Sequence, residues 1–539
     1  MYFYTTTRYA NRPPHGSSLD TFWRSVENVS VSARRGMLWA VSQAAPLRRV
    51  RSRGDLRLTD GGAWASGGVA ANCAVEGRVD FGGQQQWLMR NVELRGGTTG
   101  GAWNLVFVGC THHVPEEYDG MAGGASVTVE AEPEVRVEKP YVIMASDGAG
   151  NVTSNAAAGA GSPPGQLRDG EVLQLRVPRP TFGKDAVGIQ HDGSGDDTRD
   201  FSRVLLAVPS TAKGEREAAR HNSATIQRAL DEGKDVVLSP GVYPLAASVT
   251  LRKPGQVLLG LGYATLLAPR EDGPCVVVPP GLPGVRLAGL MLEASSPLPP
   301  GGGPKGSPLL RWGSPAADDP GDPARPGVLS DVFVRVGAME RDASAGSMVE
   351  LHSGHLYGDN LWLWRADHVA LRPGETPNFP NISQRYRQTV RGECAVRNGL
   401  VVHAGAVNVT IAGLAVEHAT EDQTVWRGEG GRVHFYQCEL PYDADASFAA
   451  RGFVGYRVDP DVARHAAAGV GVYSNFRDHD VRAGTAVAHP VAEGVAMRHM
   501  FTVKLDNLGG IKSVANGRGP GPTEDTPRGT PLRCPDGCR

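Results

Sequence analysis

The chain has 539 residues, enough for two or three domains that bury their own cores without disulfide help. Its 55 basic and 57 acidic residues leave a net charge of −2, which excludes the basic footprint of a nucleic-acid or anionic-membrane binder and leaves neutral polymers and small molecules as partners. No apolar run of about 18 residues occurs, so no membrane-spanning helix is expected.

Gly (70) and Pro (39) are abundant without a strict period, a composition shared by disordered chains and by all-β proteins with many tight turns. The 40% hydrophobic content and the short Val/Leu runs favour the all-β case. The N-terminus, Met1-Tyr-Phe-Tyr, lacks the charged and apolar segments of a signal peptide. Residues 1–145 carry short β-type segments such as Leu38-Trp-Ala-Val-Ser and Gln86-Trp-Leu-Met-Arg-Asn. They start almost at once with no capping helix, so the chain is expected to lack its natural start. Residues 146–220 read as a connector, rich in Gly, Ala and Pro around Ala156–Gly165. A helix is predicted from Asn222, its capping residue, with Ile226, Ala229 and Leu230 on one face and Gly233 as its stop.

Beyond the helix, to residue 515, one grammar repeats: an alternating strand, a Gly at a bend, another strand. Val285-Arg-Leu-Ala-Gly-Leu-Met-Leu and Val409-Thr-Ile-Ala-Gly-Leu-Ala-Val are near copies. Such repeats suit a solenoid whose coils stack parallel strands, and the helix would cover its open end. A β-sandwich or propeller would show more hairpin turns. The expectation is therefore an all-β protein of two tandem right-handed parallel β-helices, 1–145 and 221–515, with residues 516–539 a disordered tail. Of seven cysteines, only Cys534 and Cys538 are close enough to pair locally. No second Cys/His pair has zinc-ligand spacing, so no metal is expected.

The densest chemistry runs from Val416 to Tyr442. Glu417 and Glu439 each end a β segment at the same phase, about 22 residues or one coil apart. Stacked coils would bring these carboxyls within one strand spacing, and such a pair keeps a proton near neutral pH. That proton is what a glycosidic oxygen needs in order to leave. Equally, carboxylates at strand ends are often only solvated. Trp426, Phe435, Tyr436 and Tyr442 are candidates to stack on sugar faces. In Trp362-Leu-Trp-Arg365-Ala-Asp367-His368, the Asp-His pair is a candidate for sugar hydroxyls, although a structural Arg365–Asp367 ion pair is favoured. A third, amide-rich group holds Gln43, Ser66 and Gln84, Gln85 and Gln86. It is either an internal amide ladder or a set that holds water or sugar hydroxyls.

These phrases resemble glycoside hydrolase family 55, exo-β-1,3-glucanases built from two tandem pectate-lyase-like β-helices. Trp39-Ala-Val-Ser-Gln43-Ala, Ser66-Gly-Gly, Gly83-Gln-Gln-Gln-Trp-Leu-Met-Arg-Asn91, and Glu417-His418 followed by Tyr436-Gln437-Cys-Glu439-Leu-Pro-Tyr442 occur in the family's order. The resemblance implies an extracellular, monomeric, inverting enzyme on a polysaccharide or oligosaccharide, with no cofactor. Glu439 would be the general acid and Glu417 its companion. Gln43 and Ser66 would place the attacking water, with Gln84, Gln85 and Gln86 nearby. His418, Trp426, Tyr436, Gln437, Tyr442, Asp367 and His368 would contact substrate. No carboxylate stands out as base. Leu440 and Cys438 depart from the family pattern, which leaves a non-catalytic glycan-binding β-helix as the alternative, and a polysaccharide lyase behind it.

Overall fold

The computed structural model describes residues 18, 21–33, 36–60, 65–118, 126–146, 171–190, 193, 195–300, 302–304, 306–376, 386–389, 392–506 and 508–534. Ala156–Gly165 of the expected connector and Cys538 lie outside them.

Two stacks of parallel strands dominate. In the first, Val26–Val31, Leu47–Ser52, Gly68–Val75, Val79–Leu94, Thr98–Val108 and Ser126–Glu130 pair in parallel, each with the next. In the second, Arg286–Glu293, Gly327–Val336, Leu356–Arg365, Thr410–Glu417, Gly431–Glu439, His465–Ser474 and Val495–Lys504 do the same. A second sheet of shorter parallel strands, including Ser344–Leu351 and Ala395–Val402, closes each coil. This is a tandem parallel β-helix. Alternate side chains of each strand fill the coil interior, where Leu361, Leu414, Val416, Tyr436, Val470 and Val472 form one core.

The bend of the repeat is a column of left-handed residues, one per strand in register. In the second stack it runs Gly289, Asp331, Asn360, Gly413, Phe435, Gly469 and His499. In the first it runs Asn28, Arg49, Asn72, Asn91 and Gly109. Only some are glycine, so the repeat in sequence reveals the bend in part. Asn and Asp tolerate positive φ, whereas Phe435 at φ 70° holds a strained backbone for a bulky side chain. At Gly413 and Gly469 the reason for glycine is proximity. A Cβ would lie 3.0 Å from Leu88 and 2.6 Å from Val106, both on the facing stack.

The stacks are bound by a buried ionic cluster. Arg48 grips Asp331 through two bonds of 2.7 Å and reaches Asp359 at 2.6 Å. Arg90 bridges Asp359 and Glu138, and Lys139 joins Glu27 to Asp331. Arg49 also pairs with Glu27, so four cations meet four carboxylates. Burial pushes the Glu138 carboxyl up, but Arg90 more than reverses this and holds it at about 2.

Three expectations need correction. The helix spans Glu215–Asp231, capped at Gly214, so Asn222 is internal. Its amide is buried and binds Ser210 N and Pro244 O, which ties the helix to the first coil. The second stack also starts earlier, because Val204–Ala207 pairs in parallel with Asp235–Leu238 ahead of the helix. Finally, residues 516–534 of the expected tail pack back onto the stacks. Leu532–Arg533 adds antiparallel to Val495–Lys504, and Arg533 donates to Ser126 Oγ (2.9 Å) and Trp103 O (2.5 Å) on the first stack. Cys534 is disulfide-bonded.

Candidate active site

The bend sets the phase of everything that follows it. Four residues past the bend, Trp364, Glu417, Glu439 and Tyr473 stand in register on successive strands. Two residues past it stand Trp362, Ala415, Gln437 and Gly471. Both ladders project from the coil toward the first stack, because the intervening Leu363, Val416, Cys438 and Val472 point inward. Glu417 and Glu439 are thus direct neighbours, at a strand spacing of about 4.8 Å.

The first stack supplies the opposite wall. Gln43 Nε2 donates to Glu417 Oε1 (3.1 Å), and Ser66 Oγ donates to Gln43 Oε1 (2.5 Å). Tyr473 OH donates to Gln86 Oε1 at 3.1 Å. On its own strand, Gln437 donates to Glu439 Oε1 (3.3 Å), and Tyr442 OH donates to Glu439 Oε2. Gln86 Nε2 and Gln437 Oε1 are buried without hydrogen-bond partners. Such atoms are costly unless a ligand hydroxyl or water meets them.

Both carboxyls resist ionisation. Burial, then the Glu439 charge, pushes Glu417 well above the usual carboxylate range, offset in part by Trp362 and Gln437. Burial pushes Glu439 up to about 7; the Tyr442 hydroxyl opposes the rise and the Asp367 charge adds to it. Glu439 keeps 9% of its surface accessible against 4% for Glu417. Beside them, Tyr442, Asp367 and His368 are half-buried. Asp367 accepts from Trp364 Nε1 (3.2 Å) and contacts His368 Nδ1 (2.9 Å). Burial pushes the Asp367 carboxyl up, but His368 and then His418 outweigh it, so it stays ionised. His418, lowered to about 4 by burial, is neutral and packs edge-on against Tyr442.

Glu417, Glu439, Gln43, Ser66, Gln86, Gln437, His418, Tyr442, Asp367 and His368 therefore converge. Others do not. Trp426 and Tyr436 sit inside the coil, the first bonded to Gly428 O and the second to Gly455 O, so they are core residues and offer no sugar platform. Phe435 packs between the stacks. Gln84 donates to Leu58 O within the first stack, and the half-buried Gln85 makes no bond through its buried Oε1. Arg365 turns inward to Asp443 and His418 O rather than pairing with Asp367. Tyr473 escaped sequence reading. Its strand phase, four residues after Gly469, was the available signal.

A tandem parallel β-helix whose desolvated carboxyl pair faces a polar wall is an arrangement suited to carbohydrate chemistry. The model of the LAM55 pectate lyase-like domain matches residues 217–439. An exo-beta-1,3-glucanase of Streptomyces sp. (strain SirexAA-E / ActE) is 30% identical over 521 residues, 95% of this chain and 74% of that protein. The structure of sacteLam55A from Streptomyces sp. SirexAA-E aligns with a TM-score of 0.76 at 28% identity, covering 96% of this chain and 84% of that one. A variant of sacteLam55A in complex with glucose gives 0.77 at 28% identity, covering 98% and 85%. The chain belongs to glycoside hydrolase family 55.

Proposed function

We propose that this glycoside hydrolase removes sugar from the end of a β-1,3-glucan with inversion, using Glu439 as general acid. The observation that carries this is the placing of the Glu439 carboxyl beside that of Glu417 on adjacent coils, facing Gln43 of the other stack, where burial keeps its proton up to about pH 7. A general acid works best when its pKa lies near the working pH. The relative's name, exo-beta-1,3-glucanase, supports the linkage and the exo action. The glucose complex of the neighbour's variant supports a sugar ligand.

The second carboxyl supports inversion. A retaining enzyme needs an ionised nucleophile beside the acid. Glu417 is instead kept neutral, chiefly by burial. Water must then attack, and Gln43 and Ser66 offer acceptor oxygens on the opposite wall. The leaving oxygen takes the proton of Glu439, and the proton shed by the attacking water restores the Glu439 carboxyl by way of solvent, because Gln43, Ser66 and neutral Glu417 only position that water.

Incubation with laminarin and a panel of other glycans tests the proposal, with products read by chromatography and the first-released anomer by proton NMR. The α-anomer of glucose is expected. Glu439→Gln is expected to lower turnover about a hundred- to ten-thousand-fold with folding intact. An unsaturated product would establish a lyase instead, and binding without release from any glycan would establish a binding protein.

A further inference from the structure

We propose that Glu350, His352 and His403 form a zinc-type divalent metal site that staples two neighbouring coils of the second stack, apart from the catalytic cleft. The three lie on the sheet that closes the coils, where Ser344–Leu351 pairs with Ala395–Val402. Leu351 is in register with Val402, so His352 and His403 leave the two strands at the same height. Their rings stack 3.9 Å apart at 14°. Glu350, two residues before His352, projects on the same side.

The three ligand atoms are close enough to share an ion, in place of the long hydrogen bond that His352 Nε2 now makes to Glu350 Oε2. His352 Nε2 is 3.4 Å and His403 Nε2 is 3.8 Å from Glu350 Oε2, and all three atoms lie within 4.8 Å of one another. A charge-assisted hydrogen bond would close to about 2.8 Å. Ligands bound to tetrahedral zinc at about 2.0–2.1 Å stand about 3.3 Å apart. Ser347 Oγ holds the other carboxylate oxygen at 2.6 Å, which leaves Oε2 turned toward the imidazoles. That is the outer support metal-binding carboxylates receive. His403 Nε2 is buried and has no hydrogen-bond partner. A metal ion would satisfy it.

Two imidazoles and one carboxylate suit Zn²⁺ and its neighbours rather than Ca²⁺ or Mg²⁺. The His403 side chain is 30% exposed, so solvent can deliver the ion and complete its shell. The rings are nearly parallel, and binding requires His403 to turn about its Cβ–Cγ bond to converge on the ion. His352 and His403 lie far apart in sequence, on successive coils. The ion would therefore resist separation of those coils without touching Glu439.

The test uses the full chain purified without a polyhistidine tag, stripped with chelator and titrated with Zn²⁺ by calorimetry. Co²⁺ serves as a visible-absorbance reporter of the ligand shell. One equivalent of Zn²⁺ is expected to bind and to raise the thermal midpoint, reversibly with chelator. His403→Ala and Glu350→Gln should each weaken binding at least tenfold, with release of sugar from glucan unchanged. If His403→Ala fails to fold, His403→Gln replaces it. No stoichiometric binding to the native chain, or binding undiminished in these variants, overturns the proposal.

Discussion

Gln43 Nε2 lies 3.1 Å from Glu417 Oε1, so an amide of one β-helix holds a carboxyl of the other. Neither stack alone contains this contact. Replacement by Ala removes the link between Ser66 and Glu417 and, under the proposed mechanism, leaves the attacking water unplaced. Gln43→Ala is expected to lower kcat up to about a hundredfold with little change in KM, since misplacement costs the transition state more than binding. Steady-state kinetics on a soluble β-glucan checks this; a rise in KM at unchanged kcat would make Gln43 a binding residue.

Glu439 has its pKa raised from 4.5 to about 7. Activity that needs its proton should fall as pH rises through about 7. Two neighbours act with opposite sign. The Tyr442 hydroxyl favours the ionised form and the Asp367 charge disfavours it. Tyr442→Phe should therefore move the alkaline limb of the kcat/KM profile up in pH, and Asp367→Asn should move it down. Shifts of the same sign in both variants would refute Glu439 as the group titrating there.

The same shift has a stability consequence. A carboxyl more basic when folded favours the folded state fully below about pH 4.5, and that contribution is lost as pH rises through about 7. The thermal midpoint of the native chain should drop relative to that of Glu439→Gln between about pH 5 and about pH 8. Calorimetric scans across that range decide it.

Arg48 is fully buried between Asp331 and Asp359. Arg48→Met keeps the volume but leaves two carboxylates short of a cation. A loss of about 3–5 kcal/mol is expected, read from denaturant unfolding, with a concurrent fall in activity as the two walls of the cleft separate.

Trp426 separates packing from sugar recognition. Its ring is wholly buried in the coil against His465. Trp426→Ala should cost about 3–5 kcal/mol in stability while KM on the folded fraction stays within about twofold of native. A larger KM effect would return it to the substrate.

The solenoid and the carboxyl pair were legible because both are periodic. One coil's length places Glu439 beside Glu417, and equal phase turns them the same way. Trp426 and Tyr436 misled for the same reason that they are conspicuous: large aromatics near a site serve the core as readily as the cleft. The bend was visible at Gly289, Gly413 and Gly469 but hidden at Asp331, Asn360, Phe435 and His499, where ordinary side chains adopt the same left-handed turn. Arg365 and Asp443 pair although 78 residues apart in sequence, and local spacing gives no access to such contacts. Glu350, His352 and His403 share that property.

The ionic cluster also decides how this molecule can be divided. Cut between the stacks, the first half would keep Arg48, Arg49, Arg90 and Lys139 against only Glu27 and Glu138, and the second would bare Asp331 and Asp359 on what had been its dry side. Neither fragment would make a sound stand-alone module for expression or for shuffling into other proteins.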